Sequence, residues 1–128
     1  MQSNKFWQYT LTAAQDLSVA GAQYKALKLD GTIAATPQLA VGLLQTKPQS
    51  GEHGAIAFLG IAKGVAGAAI NSGAAITTTT SGFCIAHTPV ASGSVVPVGR
   101  ALVQVASGDI FECAVNFING GLTAVGSA

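Results

Sequence analysis

Turn-forming residues interrupt this chain so often that its regular structure must consist of short segments. Glycine follows Asp or Ser at several points, and such pairs favour tight turns between strands. Among them are Asp30-Gly31, Ser72-Gly73, Ser81-Gly82 and Ser107-Gly108. No apolar period of 3.6 residues persists between these turns, and the alanine-rich segments 13–17 and 64–70 are too short to be secure helices. The pattern therefore predicts a mainly β protein, either a small β-barrel or a clip-like β-sandwich.

The strand predictions follow from alternation and β-branched content. In residues 24–33, Leu27, Leu29 and Ile33 share one parity, as in a half-buried strand that ends at the Asp30-Gly31 turn. Residues 39–45 form a second predicted strand. Residues 53–63 are apolar on both parities, which indicates a central strand covered on both faces. The β-branched residues 74–80 predict a further strand.

The last predicted elements form a hairpin. Residues 98–106 and 109–118 flank Ser107-Gly108, a two-residue turn signal. In the simplest register, Val103 and Val105 share a face with Ile110, and Gln104 lies opposite Phe111.

Charged residues make up only 9% of the chain, with six basic and five acidic side chains and a net charge of +1. The basic residues are scattered, which argues against nucleic-acid binding, since that needs a clustered basic face. The longest apolar stretch, residues 55–62, is far shorter than the ~20 residues of a membrane-spanning helix, so no membrane contact is expected. The N-terminus lacks the apolar centre of a secretory signal, which predicts synthesis and retention in a cytoplasm. Because low charge gives little repulsion between molecules, we expect association.

The first twenty residues differ from the rest because Phe6, Trp7 and Tyr9 stand in a polar segment. One interpretation is an edge strand that folds back onto its own core. The other is an extended arm on a neighbouring subunit, anchored by Trp7 and Tyr9. The predicted division of the chain is an N-terminal arm at 1–20, a β-rich domain at 21–118 and a C-terminal tail at 119–128.

The sequence offers no convincing catalytic, metal or cofactor site. Glu52 and His53 are neighbours, and neighbouring side chains on a strand point to opposite faces. Cys84 and His87 would meet only on a helix, which the surrounding Thr, Gly and Pro residues disfavour. Cys84 and Cys113 are interpreted as two reduced, buried thiols, with one disulfide as the alternative. We therefore expect a protein that is not an enzyme and that holds no cofactor.

Several short sequence segments, taken in their order along the chain, resemble bacteriophage head decoration proteins, also called capsid cement proteins. Together they span roughly residues 17–118. The segments are 17–27, 40–45 followed by Gly51-Glu52, 60–63, 68–76 and 98–102. The resemblance implies a clip- or tulip-like β domain on the outer surface of the virion capsid. It also implies a homotrimer, an N-terminal arm that contacts the major capsid protein, and no catalytic residues.

Residues carried over from the resemblance are fold determinants. Gly42, Gly60, Gly73 and Gly99 would stand at bends, and Arg100 would be an interface residue or the partner of a carboxylate, including Asp109 or Glu112 of its own hairpin. The candidate contact residues for the capsid or for other subunits are then Phe6, Trp7, Tyr9 and Arg100.

Two other functions remain open from the residues. One is a phage tail or fibre subunit. The other is a small ligand-binding β module, in which His53, Tyr24 or Trp7 would line a pocket.

Overall fold

The computed structural model describes residues 6–19, 21–33, 39–87 and 97–117. Within these ranges the regular structure is one sheet of eight antiparallel strands. The strands are β1 (Phe6–Thr12), β2 (Ala26–Lys28), β3 (Ala40–Leu44), β4 (His53–Val65), β5 (Ala75–Thr78), β6 (Cys84–Ala86), β7 (Gly99–Ala101) and β8 (Ile110–Asn116). No helix in the described part of the chain is long and apolar enough to cross a membrane.

The sheet curls until its two ends nearly meet. Its strands follow the order β2-β3-β4-β8-β7-β5-β6, and β1 pairs with β4 outside this path. The amide of Ala26 in β2 donates to the carbonyl of Gly82, just before β6, at 2.9 Å. This bond connects the two terminal strands of the path. The prediction of a mainly β fold with the form of a small barrel is therefore confirmed.

The long strand β4 holds the sheet together because it pairs with three others. Ile56 lies opposite both Tyr9 of β1 and Leu44 of β3, while Leu59 lies opposite both β1 and β8. A strand has two edges, so β3 and β8 must share one edge end to end, with β1 on the other. The strand predicted at residues 53–63 is thus central.

Both faces of β4 are covered, as its apolar residues predicted. Ala57 belongs to the larger apolar cluster, which fills the inside of the curled sheet. Its neighbour Ile56 points the other way, into a smaller cluster. The buried members of that smaller cluster are Leu11, Ala13, Leu17, Ala22, Leu27, Leu44 and Ile56.

The N-terminal segment is part of this architecture over residues 6–19. β1 pairs with β4 along its whole length, and Leu11 and Leu17 are buried in the smaller cluster. Over these residues the chain follows the edge-strand interpretation and packs on its own core, rather than forming an extended arm on a neighbouring subunit. Residues 1–5 and the predicted tail at 119–128 lie outside the described residues.

The strand predicted at 24–33 is much shorter in the structure. Only Ala26–Lys28 pair with β3, and the register shifts between Leu27 and Lys28. A turn follows, closed by the amide of Gly31 on the carbonyl of Lys28 at 3.0 Å. Leu29 is therefore 64% exposed, and its predicted place on the buried face of Leu27 is wrong.

The C-terminal hairpin forms but opens early. Arg100 lies opposite Ala114, and the turn at Gly108 has a positive φ of 89°. The amide of Leu102 still donates to the carbonyl of Glu112 in β8 at 3.2 Å; beyond it the chain leaves β8, and Val105 forms a bridge with Ile70. Val105 is buried while Ile110 is 55% exposed, so the predicted shared face of Val103, Val105 and Ile110 is wrong.

Of the four glycines expected at bends, Gly73 lies in a turn, whereas Gly42, Gly60 and Gly99 lie within strands; all four stand at constrained positions. Gly60 and Gly73 have φ values of 117° and 83°, which side chains other than hydrogen rarely allow. At Gly42 a Cβ would lie 2.7 Å from the carbonyl oxygen of Ala57, and at Gly99 it would overlap the carbonyl oxygen of Ala114. Glycine is therefore required for backbone conformation at two positions and for close strand packing at the other two.

Candidate interaction surface

The edge strand β1 exposes two large aromatic side chains. Trp7 is 67% exposed and Tyr9 is 52% exposed, although both rings are largely apolar. No strand among the described residues pairs with the edge of β1 that faces away from β4. An edge strand with unpaired backbone groups and exposed aromatic rings is a surface on which another chain can pack or pair.

A bulge in β4 supports the ring of Trp7. Trp7 lies opposite Leu59 and Gln8 opposite Ala57, so Phe58 is an extra residue in the ladder. The Phe58 ring meets the indole edge to face, with centroids 6.4 Å apart and an interplanar angle of 81°. Phe58 also packs against the larger cluster, as does the half-buried Phe6. The exposed indole thus rests on a ring that the core holds in place.

Trp7 and Arg100, both predicted contact residues, lie on one face of the sheet. Ile61 lies opposite Ala114, which lies opposite Arg100, so these three side chains project to the same side. Leu59, two residues before Ile61, brings its partner Trp7 to that side. We call the surface formed by Trp7, Leu59, Ile61, Ala114 and Arg100 the outer face. Trp7 and Arg100 are three strand spacings apart across the sheet, roughly 14 Å, and are offset by two residues along it, roughly 7 Å.

Arg100 borders an open groove on this surface. Its Nη1 donates to the carbonyl of Gly73 at 3.0 Å, which directs the exposed guanidinium across the start of β5. The groove has a volume of about 480 Å³, and Ala75, Pro97 and Asn116 contribute to its lining. Asp109 is five residues along the chain from the Arg100 partner Ala114, roughly 17 Å in extended backbone, and is too distant to pair with Arg100.

The acid–histidine and cysteine–histidine pairs considered from the sequence do not form catalytic arrangements in the structure. The Glu52 carboxylate accepts from the amide of Gln49 at 2.8 Å, and the His53 ring lies 3.3 Å from the Thr12 hydroxyl. Cys84 begins strand β6 and is buried, and His87 follows the end of that strand. Among the described residues no three His, Cys, Asp or Glu side chains are grouped to hold a metal ion.

Both cysteines are free thiols in the core. Cys113 Sγ lies 3.6 Å from the carbonyl oxygen of Ala62, and Cys84 Sγ lies beside Gly64. Burial raises the pKa of Cys84 from 9.0 to about 12 and also raises the pKa of Cys113. The interpretation as reduced, buried thiols is confirmed.

These thiols predict a loss of stability in alkali. A raised pKa in the folded state stabilises the fold fully below the pKa of the unfolded thiol, and this contribution disappears as the pH rises toward the folded value. Above pH 9.0 we expect the free energy of unfolding to fall by up to about 1.4 kcal/mol per pH unit for each thiol. Urea unfolding across this range measures the slope. A Cys84→Ala, Cys113→Ala double variant should show a smaller slope, and an unchanged slope would contradict the assignment.

A second concave site was not singled out from the sequence. We call it the basic pocket; it has a volume of about 440 Å³ and is lined by Gly21, Gln23, Tyr24, Lys25, Lys47, Val65, Phe83, Gly108 and Ile110. Tyr24, which the ligand-module hypothesis named, lies here, whereas His53 and Trp7 do not. Tyr24 has a φ of +74°, an uncommon conformation for a bulky residue. Sequence spacing carries no signal for this site, because its residues come from distant parts of the chain.

Comparisons with known proteins identify a similar fold. No protein-family model matches the chain, and no curated protein matches it. Among solved structures, the head fiber gp8.5 N base in bacteriophage phi29 is similar, with a TM-score of 0.58 and 15% sequence identity. The likeness covers 88% of this chain and 95% of that chain. At this level of identity it is a likeness of fold, and it agrees with the small β-barrel described above.

Proposed function

We propose that this chain is a non-enzymatic structural protein of a bacteriophage head, which binds the outer surface of the capsid and stabilises it. The observation that carries the proposal is the edge strand β1, with Trp7 and Tyr9 exposed and the Trp7 ring packed against Phe58. The fold similarity to a head fiber protein and the ordered resemblance to decoration proteins support the same class. The proposed partners are the major capsid protein and two further copies of this chain.

The physical basis of the proposal is the low charge of the surface combined with these anchors. Few charged groups need to lose water when the protein docks, because only 9% of its residues are charged. Large aromatic side chains bury much area and have few rotatable bonds, so they suit the centre of an interface. A trimer on a regular lattice would bind through several such contacts at high effective concentration.

A second candidate is the base of a head fibre, and the similar solved structure favours it specifically. That structure is the base of a head fiber, and the likeness covers 95% of it. The two roles differ in what lies outside the capsid. A decoration protein covers the shell surface at many equivalent positions, whereas a fibre base carries an elongated projection. Electron microscopy of virions labelled for this protein distinguishes the two arrangements.

The binding test uses purified capsid shells that lack this protein. We expect Trp7→Ala, Tyr9→Ala to reduce shell binding at least about tenfold, since two anchors of roughly 1 kcal/mol or more are lost. The matched control is Leu29→Ala, which shortens another exposed apolar side chain, on the turn after β2 rather than on β1 itself. Co-sedimentation measures binding, and the thermal stability of the shells measures reinforcement. Wild-type protein that binds no shell form would contradict the proposal.

The oligomeric state gives an independent test. Analytical ultracentrifugation should find a defined trimer, and the same double variant should shift it toward monomer if β1 also lies between subunits. A monomer with ligand-dependent thermal stability would instead favour the small ligand-binding module.

A further inference from the structure

The basic pocket lies beyond the outer face on the same side of the sheet, where Val65 and Ile110 pair at the ends of β4 and β8, and the proposed function above does not use it. Its walls come from the turn before β2, the end of β4 at Val65, the start of β8 at Ile110 and Phe83 before β6. Its volume of about 440 Å³ is in the range of sites that hold a small ligand or a few side chains of a partner.

Cations gather at this pocket in a chain that has few of them. Lys25 and Lys47 line it, and the Lys63 ammonium lies 6.0 Å from the centroid of the Tyr24 ring. These are three of the six basic residues. Lys63 lies directly opposite Glu112, which offsets its charge. The residues that line the pocket include no Asp or Glu, and Asp109 stands between the lining residues Gly108 and Ile110. Lys25 and Lys47 together with this carboxylate still leave a net charge of +1.

Aromatic rings limit where the ammonium groups can go. The Lys25 ammonium stands 4.5 Å from the centroid of the Phe83 ring, a cation–π distance. Lys25 is half-buried, so its side chain has less freedom than a solvated lysine. The positive charge is therefore partly pre-positioned at the pocket wall, which reduces the entropy lost when an anion binds.

The backbone at Tyr24 is strained in a way that places its side chain at the pocket. Tyr24 donates its amide to the carbonyl of Leu44 at 2.7 Å, and Leu44 donates back to the carbonyl of Lys25 at 2.9 Å. These two bonds hold a bulky residue at a φ of +74°. Strain of this kind persists where surrounding structure enforces it, and it is concentrated at binding sites.

The chemistry of the walls selects among anions. Val65, Phe83 and Ile110 form an apolar floor beside the two ammonium groups. An inorganic anion would use the ammonium groups and gain nothing from this floor. A nucleic-acid strand needs a longer row of cations, and Arg100 lies on the outer face. A peptide segment with a carboxylate next to an apolar side chain would use both parts.

We infer that the basic pocket binds an acidic segment of a partner protein, with an Asp or Glu carboxylate at Lys25 and Lys47 and a neighbouring apolar side chain on Val65 and Ile110. The charge complementarity and the apolar floor are both needed for this assignment. The inference holds for any partner that offers such a segment and does not depend on capsid binding.

The probe is the blocked tripeptide acetyl-Asp-Leu-Asp-amide, titrated into the full chain and followed by amide chemical shifts. We expect weak, saturable binding with shifts confined to the turn at 21–25, Lys47 and the residues around Gly108. Binding should weaken as salt rises from about 0.05 M to about 0.5 M, because exposed charges are screened. Acetyl-Asn-Leu-Asn-amide tests the carboxylates, acetyl-Asp-Gly-Asp-amide tests the apolar contact, and inorganic phosphate tests a bare anion.

Variants of the full chain distinguish the effect of removing charge at the pocket from the effect of disturbing the fold. Lys25→Gln, Lys47→Gln should weaken tripeptide binding about fivefold or more, the scale of two partly exposed charge contacts. Lys28→Gln removes a cation outside the pocket, paired with Asp30 at 4.0 Å, and should leave binding unchanged. Tyr24→Asn removes the ring with a residue that tolerates positive φ, so it should weaken binding without unfolding the chain.

Four results would overturn the inference. They are an absence of shifts at the pocket, equal binding of the Asn tripeptide, equal binding of the Gly tripeptide, and phosphate binding as tight as that of the acidic tripeptide. Shell binding is measured separately on the wild type and on Trp7→Ala, Tyr9→Ala. A failed titration therefore leaves the proposed capsid role standing, and failed shell binding leaves the pocket assignment standing.

Discussion

Replacing Gly31 by alanine is expected to destabilise the fold by more than about 3 kcal/mol, one of the largest effects available to a single methyl group in this chain. Gly31 has a φ of +86°, so alanine would be strained there by about 1 kcal/mol. A Cβ would also overlap the carbonyl oxygen of Thr12 and lie 2.9 Å from the amide nitrogen of Ala14. Both are backbone atoms that cannot rotate away, so the turn must separate from the segment after β1.

Gly51→Ala is the matched control, because its φ of +87° is nearly the same and no atom lies within 4 Å of the added Cβ. It carries only the conformational cost of about 1 kcal/mol. Urea unfolding of the two variants measures the difference, which is the cost of the clash alone. Equal destabilisation of the two proteins would show that residues 12–14 do not pack on Gly31.

Leu17→Ala is expected to lower the free energy of unfolding by about 2–5 kcal/mol. Leu17 has no exposed surface, and it lies in the smaller cluster with Leu27, Leu44 and Ile56. Its amide donates to the carbonyl of Pro48 at 2.9 Å, so the surrounding backbone cannot readily collapse into the cavity. The expected fall in melting temperature is roughly 4 °C per kcal/mol for a domain of this size.

The control for this change is Val19→Ala, two residues further along. Val19 is 53% exposed, and its truncation should change stability by no more than about 0.5 kcal/mol. Thermal unfolding of both variants decides whether residues 13–19 belong to the core of their own chain. A Leu17→Ala protein as stable as the wild type would instead support a segment that packs on a neighbouring subunit.

Local patterns predicted the strands that have strong and simple signals. Residues 39–45 and 53–63 were identified because a strand with both faces covered is apolar on both parities, as Ile56 and Ala57 illustrate. The turn at Ser107-Gly108 was also predicted, since glycine at positive φ is a local requirement. The reduced state of Cys84 and Cys113 agrees with their apolar surroundings in the sequence.

Predictions failed where a distant segment competed for the same residues. Val105 does not continue the hairpin because it forms a backbone bridge with Ile70 and is buried there. Ile70 is far from Val105 in sequence, so no local pattern predicts this pairing. Leu29 turned outward because a register shift and a tight turn interrupt β2 after Leu27. A prediction from apolar–polar alternation assumes that strand pairing is uninterrupted, so it misses a bulge in the strand.

For the candidate surfaces too, some features follow from the sequence and others only from the tertiary structure. The sequence singles out Trp7 and Tyr9 as aromatic residues in a polar segment, and only the structure shows that both side chains are more than half exposed. The common face of Trp7 and Arg100 follows only from the registers of β1, β4, β8 and β7. The basic pocket likewise exists because the fold brings Lys25, Lys47 and Phe83 together.

By itself, the sequence determined the class of this protein: short strands, many turns and no sustained helical period predict a small, mainly β domain. These properties are local, because turns, alternation and composition depend on near neighbours in the chain. Tertiary structure alone decided three things. Residues 6–12 form an edge strand that pairs with β4, the strand registers determine which residues share a face, and the fold brings lysine side chains from distant segments together. Strand order and register are set by the burial of two apolar clusters, whose members are far apart in sequence and become neighbours only when the sheet curls.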